Sequence, residues 1–203
     1  MIKKNNLKKA ALAVVIMLSC MGSAAQKKQE VVQIKTTYGE ILVWLYNETP
    51  QHKKSFLQMA RAGYWDSLSF NRVIPNFVAQ GGCPDTPEGF KDSTMLLAPE
   101  FDSSLTHEYG AFGAGRDDNA AMMSARCQFY IVQNKKGLHR LDNKYTVFGK
   151  VIKGMDVVDT IVQLPRNKED APLNKVSIDI NVIKLTKGKL KKMGVHEQIP
   201  LRE

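Results

Sequence analysis

Apolar and polar residues alternate over 31–36, a Thr37-Tyr38-Gly39 turn follows, and 41–45 runs apolar. That pattern predicts a β-hairpin. Thr49-Pro50 is a helix start, with a capping hydroxyl and a proline at the first helical position. The helix is expected to run to about Arg61, with Phe56, Leu57, Met59 and Ala60 on its apolar side and Gly63 ending it. Short strands are predicted at 67–73 and 77–80, on either side of Ile74-Pro75-Asn76, and again at 109–113, 128–132 and 147–151. Residues 154–164 form a second amphipathic pattern, stopped by Pro165. Over 176–185, Val176, Ile178, Ile180 and Val182 alternate with Ser177, Asp179 and Asn181, a clear strand period. The stretch 83–107, rich in Pro, Asp and Ser, reads as one long loop. From Thr186 onward the chain is basic and weakly patterned, the mark of a mobile tail. No internal repeat is present. Seven or eight short strands with two helices predict a mainly β fold: a closed, eight-stranded antiparallel barrel with two covering helices.

The start of the chain follows a different pattern. Lys3, Lys4, Lys8 and Lys9 precede an apolar run of nine residues, 10–18. A membrane span needs ~20 such residues, so this run suits the core of an export signal. Ser23-Ala24-Ala25 supplies small residues at a cleavage site before Gln26. The rival is lipoprotein processing at Cys20, where Ser19 is suitably small but the usual leucine further back is missing. The expected organisation is a signal peptide at 1–25, a polar linker at 26–30, one domain at 31–185 and a basic tail at 186–203. The periplasm or cell envelope is the expected location, with membrane attachment only if Cys20 is lipidated. Splitting the chain this way changes the meaning of its +9 charge. Without the four signal lysines, 25 basic residues face 20 acidic ones. No basic patch interleaved with aromatics accompanies that balance, so nucleic acid is not an expected partner.

Much catalytic chemistry is missing. His52, His107, His139 and His196 make no metal-ligand spacing, and there is no Walker loop or G-x-S-x-G. No metal or cofactor is expected. Cys127 has no indicated histidine partner and reads as a small, semi-buried residue. Cys83 follows a Gly-Gly turn and Cys127 precedes Gln128, so both belong near one groove. A bridge needs Cα atoms within ~7 Å, which spacing alone does not establish, and free thiols are the default expectation. A reaction that breaks no covalent bond fits this inventory best.

One constellation is specific. Phe70-Asn71-Arg72-Val73-Ile74-Pro75-Asn76-Phe77-Val78-Ala79-Gln80-Gly81-Gly82 is followed, in order, by Gln128-Phe129-Tyr130-Ile131-Val132, Leu141-Asp142 and Tyr145-Thr146-Val147-Phe148-Gly149-Lys150-Val151. Read bottom-up, Arg72 sits among apolar neighbours and should point into a polar-lined cleft, since arginine is rarely buried without a partner. A structural ion pair is the alternative. Gln80, three residues after Phe77, can orient a guanidinium. Strand alternation puts Gln128 and Tyr130 on one side, opposite Phe129 and Ile131.

These strings resemble the cyclophilin family of peptidyl-prolyl cis–trans isomerases, over roughly 31–185. The resemblance implies a cyclophilin-like barrel that acts on proline-containing segments of unfolded or folding proteins, as a monomer and without a cofactor. It assigns Arg72 as the catalytic arginine and Gln80 as its support. Phe77, Val78, Tyr130 and Leu141 match the proline pocket, Gln128 a substrate contact and Tyr145 the pocket rim. Several positions depart from the family pattern. Val78 stands where methionine is frequent, Tyr130 where phenylalanine is, Asn71 and Tyr145 where histidine is, and Arg140 where some members carry tryptophan. The stretch 115–127 is longer than the family's glycine-rich loop, and Arg126 precedes Cys127. That altered loop keeps a second reading open, a peptide-binding module with little turnover.

Overall fold

The computed structural model describes residues 28–83 and 95–195. The export-signal reading of 1–25, including Cys20, lies outside the described residues. So do the stretch 84–94 of the long loop and the tail beyond 195. The described strands are β1 (Lys28–Thr36), β2 (Gly39–Leu45), β3 (Ser69–Val73), β4 (Val78–Gly82), β5 (Leu96–Leu97), β6 (Ala111–Ala114), β7 (Ser124–Ala125), β8 (Gln128–Val132), β9 (Val147–Lys153), β10 (Val176–Ser177) and β11 (Asp179–Thr186). Nine of them form one antiparallel sheet in the order β10-β3-β4-β8-β6-β9-β2-β1-β11, and β5 pairs with β7 separately. The two edge strands, β10 and β11, are separated in sequence only by Ile178, whose N–H donates to Leu68. The chain thus passes directly from one edge of the curled sheet to the other, and among the described residues no β10–β11 pairing closes it into the expected barrel. The count exceeds the predicted eight because β5, β7 and β10 are two-residue pairings, too short for alternation to register.

The curled sheet packs around an apolar core. Ile34, Ile41, Val43, Phe70, Phe112, Phe129, Ile131 and Phe148 are all buried in one cluster. Helix α1 (Pro50–Arg61) inserts Phe56, whose ring meets Phe112 and Phe129 edge-on and stacks on Trp65. Helix α2 (Met155–Val162) adds Val158, Ile161 and Val162 to the same cluster.

Three local expectations change. The Thr49 side chain does not cap α1. Its hydroxyl is buried without a partner, and the Glu100 carboxylate, arriving from 48 residues away, accepts instead from the Gln51 and His52 amides at 3.0 and 2.9 Å. A carboxylate also complements the positive end of the helix dipole better than a hydroxyl. The polar linker is strand from Lys28, because β1 pairs with β11 from Lys28↔Thr186 onward. Over 186–195 the tail is structured: Thr186 caps helix α3 (Lys187–Lys192), and Leu190 and Val195 bury themselves against Val31 and Leu42. Two apolar residues five apart in a basic stretch carry too little periodicity to be seen in sequence.

Candidate active site

The site starts from an irregularity in β3. Strict alternation would put Arg72 on the same face as Phe70, inside the barrel. The β3–β4 register instead shifts between Phe70↔Gly81 and Arg72↔Gln80. A bulge of this kind adds one residue and re-aims the next side chain. Phe70 and Val73 can then both be core, while Arg72 turns outward beside Gln80, its Nη1 3.4 Å from Gln80 Oε1.

Next comes the Ile74–Phe77 turn. Ile74 N–H donates to Val78, and Asn76 takes the left-handed conformation that tightens the turn. Gln133 then pins the turn from β8's end: its Oε1 accepts from the Asn76 backbone N–H and its own backbone N–H donates to Phe77 O. The Phe77 ring is thereby held with the Arg72 guanidinium 5.8 Å from its centroid.

The other wall comes from β8. Gln80 pairs with Tyr130 across the β4–β8 ladder. Phe129 and Ile131 face the apolar core, while Tyr130 and Val132 belong to a second cluster with Val78, Val147, Phe77, Leu141 and Tyr145. Gly113, opposite Tyr130 on β6, makes room for this ring, because a Cβ there would lie 2.2 Å from Tyr130 Cζ. The 3-10 turn at His139–Leu141 delivers Leu141 to the rim. The result is a cavity of about 270 Å³ that brings together Arg72, Phe77, Val78, Gln80, Tyr130, Leu141 and Tyr145, with Arg116 and Arg140 at its mouth. That is small for a ligand pocket, and suits one ring with its neighbours.

Gln128 is the exception. It is 2 % exposed and does not line the cavity. It lies on the expected outer side of β8, but the backbone of Gly115 and Cys83 covers it, and its Nε2 donates to Cys83 O at 3.2 Å. The expectation of free thiols is also corrected. Cys83 and Cys127 form a disulfide, with Cα atoms 5.4 Å apart, well within bridging range. The β4–β8 register explains it. Gly82 faces Gln128, so the next pair outward is Cys83 and Cys127, and Cys83 N–H donates to Cys127 O.

Sequence reasoning missed the group behind Tyr130. His107 is fully buried; its Nε2 lies 2.7 Å from the Tyr130 hydroxyl and its Nδ1 2.7 Å from Asp142 Oδ1. Burial pushes the His107 imidazole below its usual value, outweighing the hydrogen bond and the charge of Asp142. Burial pushes the Asp142 carboxyl up, but hydrogen bonds from His107 and His139 outweigh it and hold Asp142 below the ordinary range. Burial, first of all, keeps the Tyr130 phenol protonated, its value raised well above 10. These partners assign a neutral His107 that donates from Nδ1 to Asp142 and accepts at Nε2 from Tyr130. The signal for this chain of bonds was weak, because its members are 23 and 35 residues apart.

A sequence profile of the family described as "Cyclophilin type peptidyl-prolyl cis-trans isomerase/CLD" matches residues 31–182. The chain belongs to the cyclophilin family. It is 34% identical over 176 residues to a peptidyl-prolyl cis-trans isomerase of Acinetobacter baylyi, covering 81% of this chain and 93% of that one. An isomerase of Schizosaccharomyces pombe is 33% identical over 150 residues, with 72% and 94% covered. Among solved structures, a Cryptosporidium parvum cyclophilin-type isomerase, determined in the presence of the dipeptide Ala-Pro, superposes with a TM-score of 0.66. It is 25% identical, and the match covers 75% of this chain and 98% of the other. This cyclophilin is a peptidyl-prolyl cis–trans isomerase, and the mainly β, curled antiparallel fold is the family's.

Proposed function

We propose that Arg72 is the residue that accelerates X-Pro rotation here, with Gln80 as its support and Phe77, Val78, Tyr130, Leu141 and Tyr145 as the proline pocket. An X-Pro amide resists rotation by ~18–20 kcal/mol because its resonance must be lost. In the twisted state the proline nitrogen becomes pyramidal and regains a lone pair. The Phe77 and Tyr130 side of the cavity holds the pyrrolidine ring. The Arg72 guanidinium, fixed between Gln80 and the Phe77 ring, donates to that nitrogen or restrains the neighbouring carbonyl. Such a donor stabilises the twisted form more than the planar one, which is how a preorganised site lowers a barrier. The observation that carries this reading is the bulge that turns Arg72 out of the core and onto the rim of a cavity whose floor is apolar. The test is a proline-peptide isomerisation assay on the purified mature protein. Turnover that collapses in a folded Arg72→Ala variant supports the assignment, and wild-type turnover in that variant overturns it.

The same reading puts the enzyme in the cell envelope, acting on exported proteins. The lysine-flanked apolar run before Ser23-Ala24-Ala25 supports it, as does the Cys83–Cys127 bridge, since disulfides persist in oxidising compartments. Intact mass of protein taken from its native envelope should begin at Gln26. A diacylated Cys20 would instead tether the enzyme to a membrane.

A further inference from the structure

The cavity is apolar at its floor and cationic at its mouth. Arg140 is exposed and its guanidinium lies 5.0 Å from the centre of the Phe77 ring. Arg116 lies 4.5 Å from the centre of the Tyr145 ring, and its Nε and Nη1 donate only to the backbone oxygens of Lys144 and Asp117. With Arg72, three guanidiniums surround one pocket.

Among the described residues no carboxylate is ion-paired with any of the three. Of the three acids nearest in sequence, Asp142 is engaged by His107 and His139 and Asp117 Oδ1 by Asn119, while Asp118 is exposed and ion-paired with none of the three. Resting on a ring face restricts a guanidinium but leaves its N–H edges free to donate. Three like charges held around a small cavity repel one another, and an anion arriving between them removes that repulsion while gaining charge-assisted hydrogen bonds.

We propose that this enzyme prefers X-Pro segments with an acidic side chain next to the proline, and that Arg116 and Arg140 set the preference. The inference rests on the cavity being the proline site. The ring then occupies the Phe77 and Tyr130 floor, and the residues flanking proline leave the pocket past Arg140 on one side and Arg116 on the other. A flanking carboxylate meets a guanidinium that no carboxylate among the described residues is paired with, while a flanking lysine meets like charge.

The test uses peptides that differ only in Glu, Ala or Lys immediately before or immediately after proline. Both kcat/KM and affinity are measured for each. For the wild type, Glu should exceed Ala by roughly fivefold at one or both positions, with Lys below Ala, as expected for partly exposed ion pairs. The preference should shrink toward parity near 1 M salt, where the Debye length is ~3 Å. Arg116→Gln and Arg140→Gln should each reduce the Glu-to-Ala ratio, by about two- to threefold, whatever happens to the absolute rate. Arg140→Glu, a swap at an exposed position, should turn the order toward Lys. Ratios near one for both affinity and kcat/KM in the wild type would overturn the proposal and leave the isomerase reading intact. Turnover absent on all peptides would overturn that reading instead, while the affinity order would still decide the charge preference.

Discussion

On β4 and β8 successive residues enter opposite environments. Ala79, Phe129 and Ile131 point into the barrel; Val78, Gln80 and Tyr130 point to the cavity. The inner face is built from redundancy, since Phe129 alone touches Phe56, Phe70, Trp65 and Phe112 through ring contacts. Each side chain there does what its neighbours do, excluding water at native density. The outer face is built from differentiated contacts: a guanidinium with its supporting amide, two more guanidiniums on aromatic rings, and a phenol tied to a histidine. Damage inside should therefore register as lost stability, and damage outside as lost activity.

The largest expected separation comes from Phe129→Ala. A buried phenylalanine truncated to alanine should cost ~3–5 kcal/mol of stability, measured by urea unfolding. Reducing the Cys83–Cys127 bridge should cost ~2–4 kcal/mol, since it closes a loop of 44 residues in the unfolded chain. Comparing unfolding midpoints with and without reductant checks this, and an unchanged midpoint would show the bridge to be a rim ornament. Arg72→Ala should lower kcat/KM by ~10²-fold, about 2.7 kcal/mol of transition-state stabilisation, with unfolding nearly unchanged. A large loss of stability in that variant would break the division between faces.

Tyr130→Phe sharpens the comparison, because Tyr130 belongs to the outer face yet supports a buried network. The ring stays, so turnover should change little. The lost hydroxyl leaves His107 Nε2 buried without a donor, at a cost of ~1–3 kcal/mol. The smallest expected effect is on pH dependence. His107 and His52 are both held below the ordinary imidazole value of 6.5, chiefly by burial. The unfolded chain therefore takes up protons at these sites before the folded one does. Stability should be fully present above pH 6.5 and decline as pH falls from there toward the lowered folded values. Midpoints followed between pH 8 and 5 should show this slope, and replacing both histidines with asparagine should flatten it.

These contrasts explain what the chain discloses in one dimension. Arg72, Phe77, Val78 and Gln80 lie within nine residues, so a single strand-turn-strand unit displays most of the site. The two-residue period of 128–132 likewise separates Phe129 from Tyr130 with no reference to any other segment. Glu100 and His107 are illegible in sequence, because each acts on partners 23 to 49 residues away through a few side-chain contacts that impose no period. Gln128 was assigned to the correct face but not to its cover, since backbone from two other segments seals it. The Cys83–Cys127 pairing was within reach, as the β4–β8 register extends to it by one step, but that register exists only where the two strands are neighbours, which no local pattern states.

The sheet order has a consequence in time. β1, the first strand described, lies between β2 and β11, the last. A chain delivered amino-terminus first, whether from a ribosome or a translocation pore, can form the β1–β2 hairpin early. The other edge of β1 must wait until residue 186 has emerged. Until then that edge is an open row of donors and acceptors, and the final pairing spans about 150 residues of sequence separation, which slows folding. An enzyme whose work is to shorten other chains' waiting thus leaves its own opening strand unpaired until its closing strand arrives.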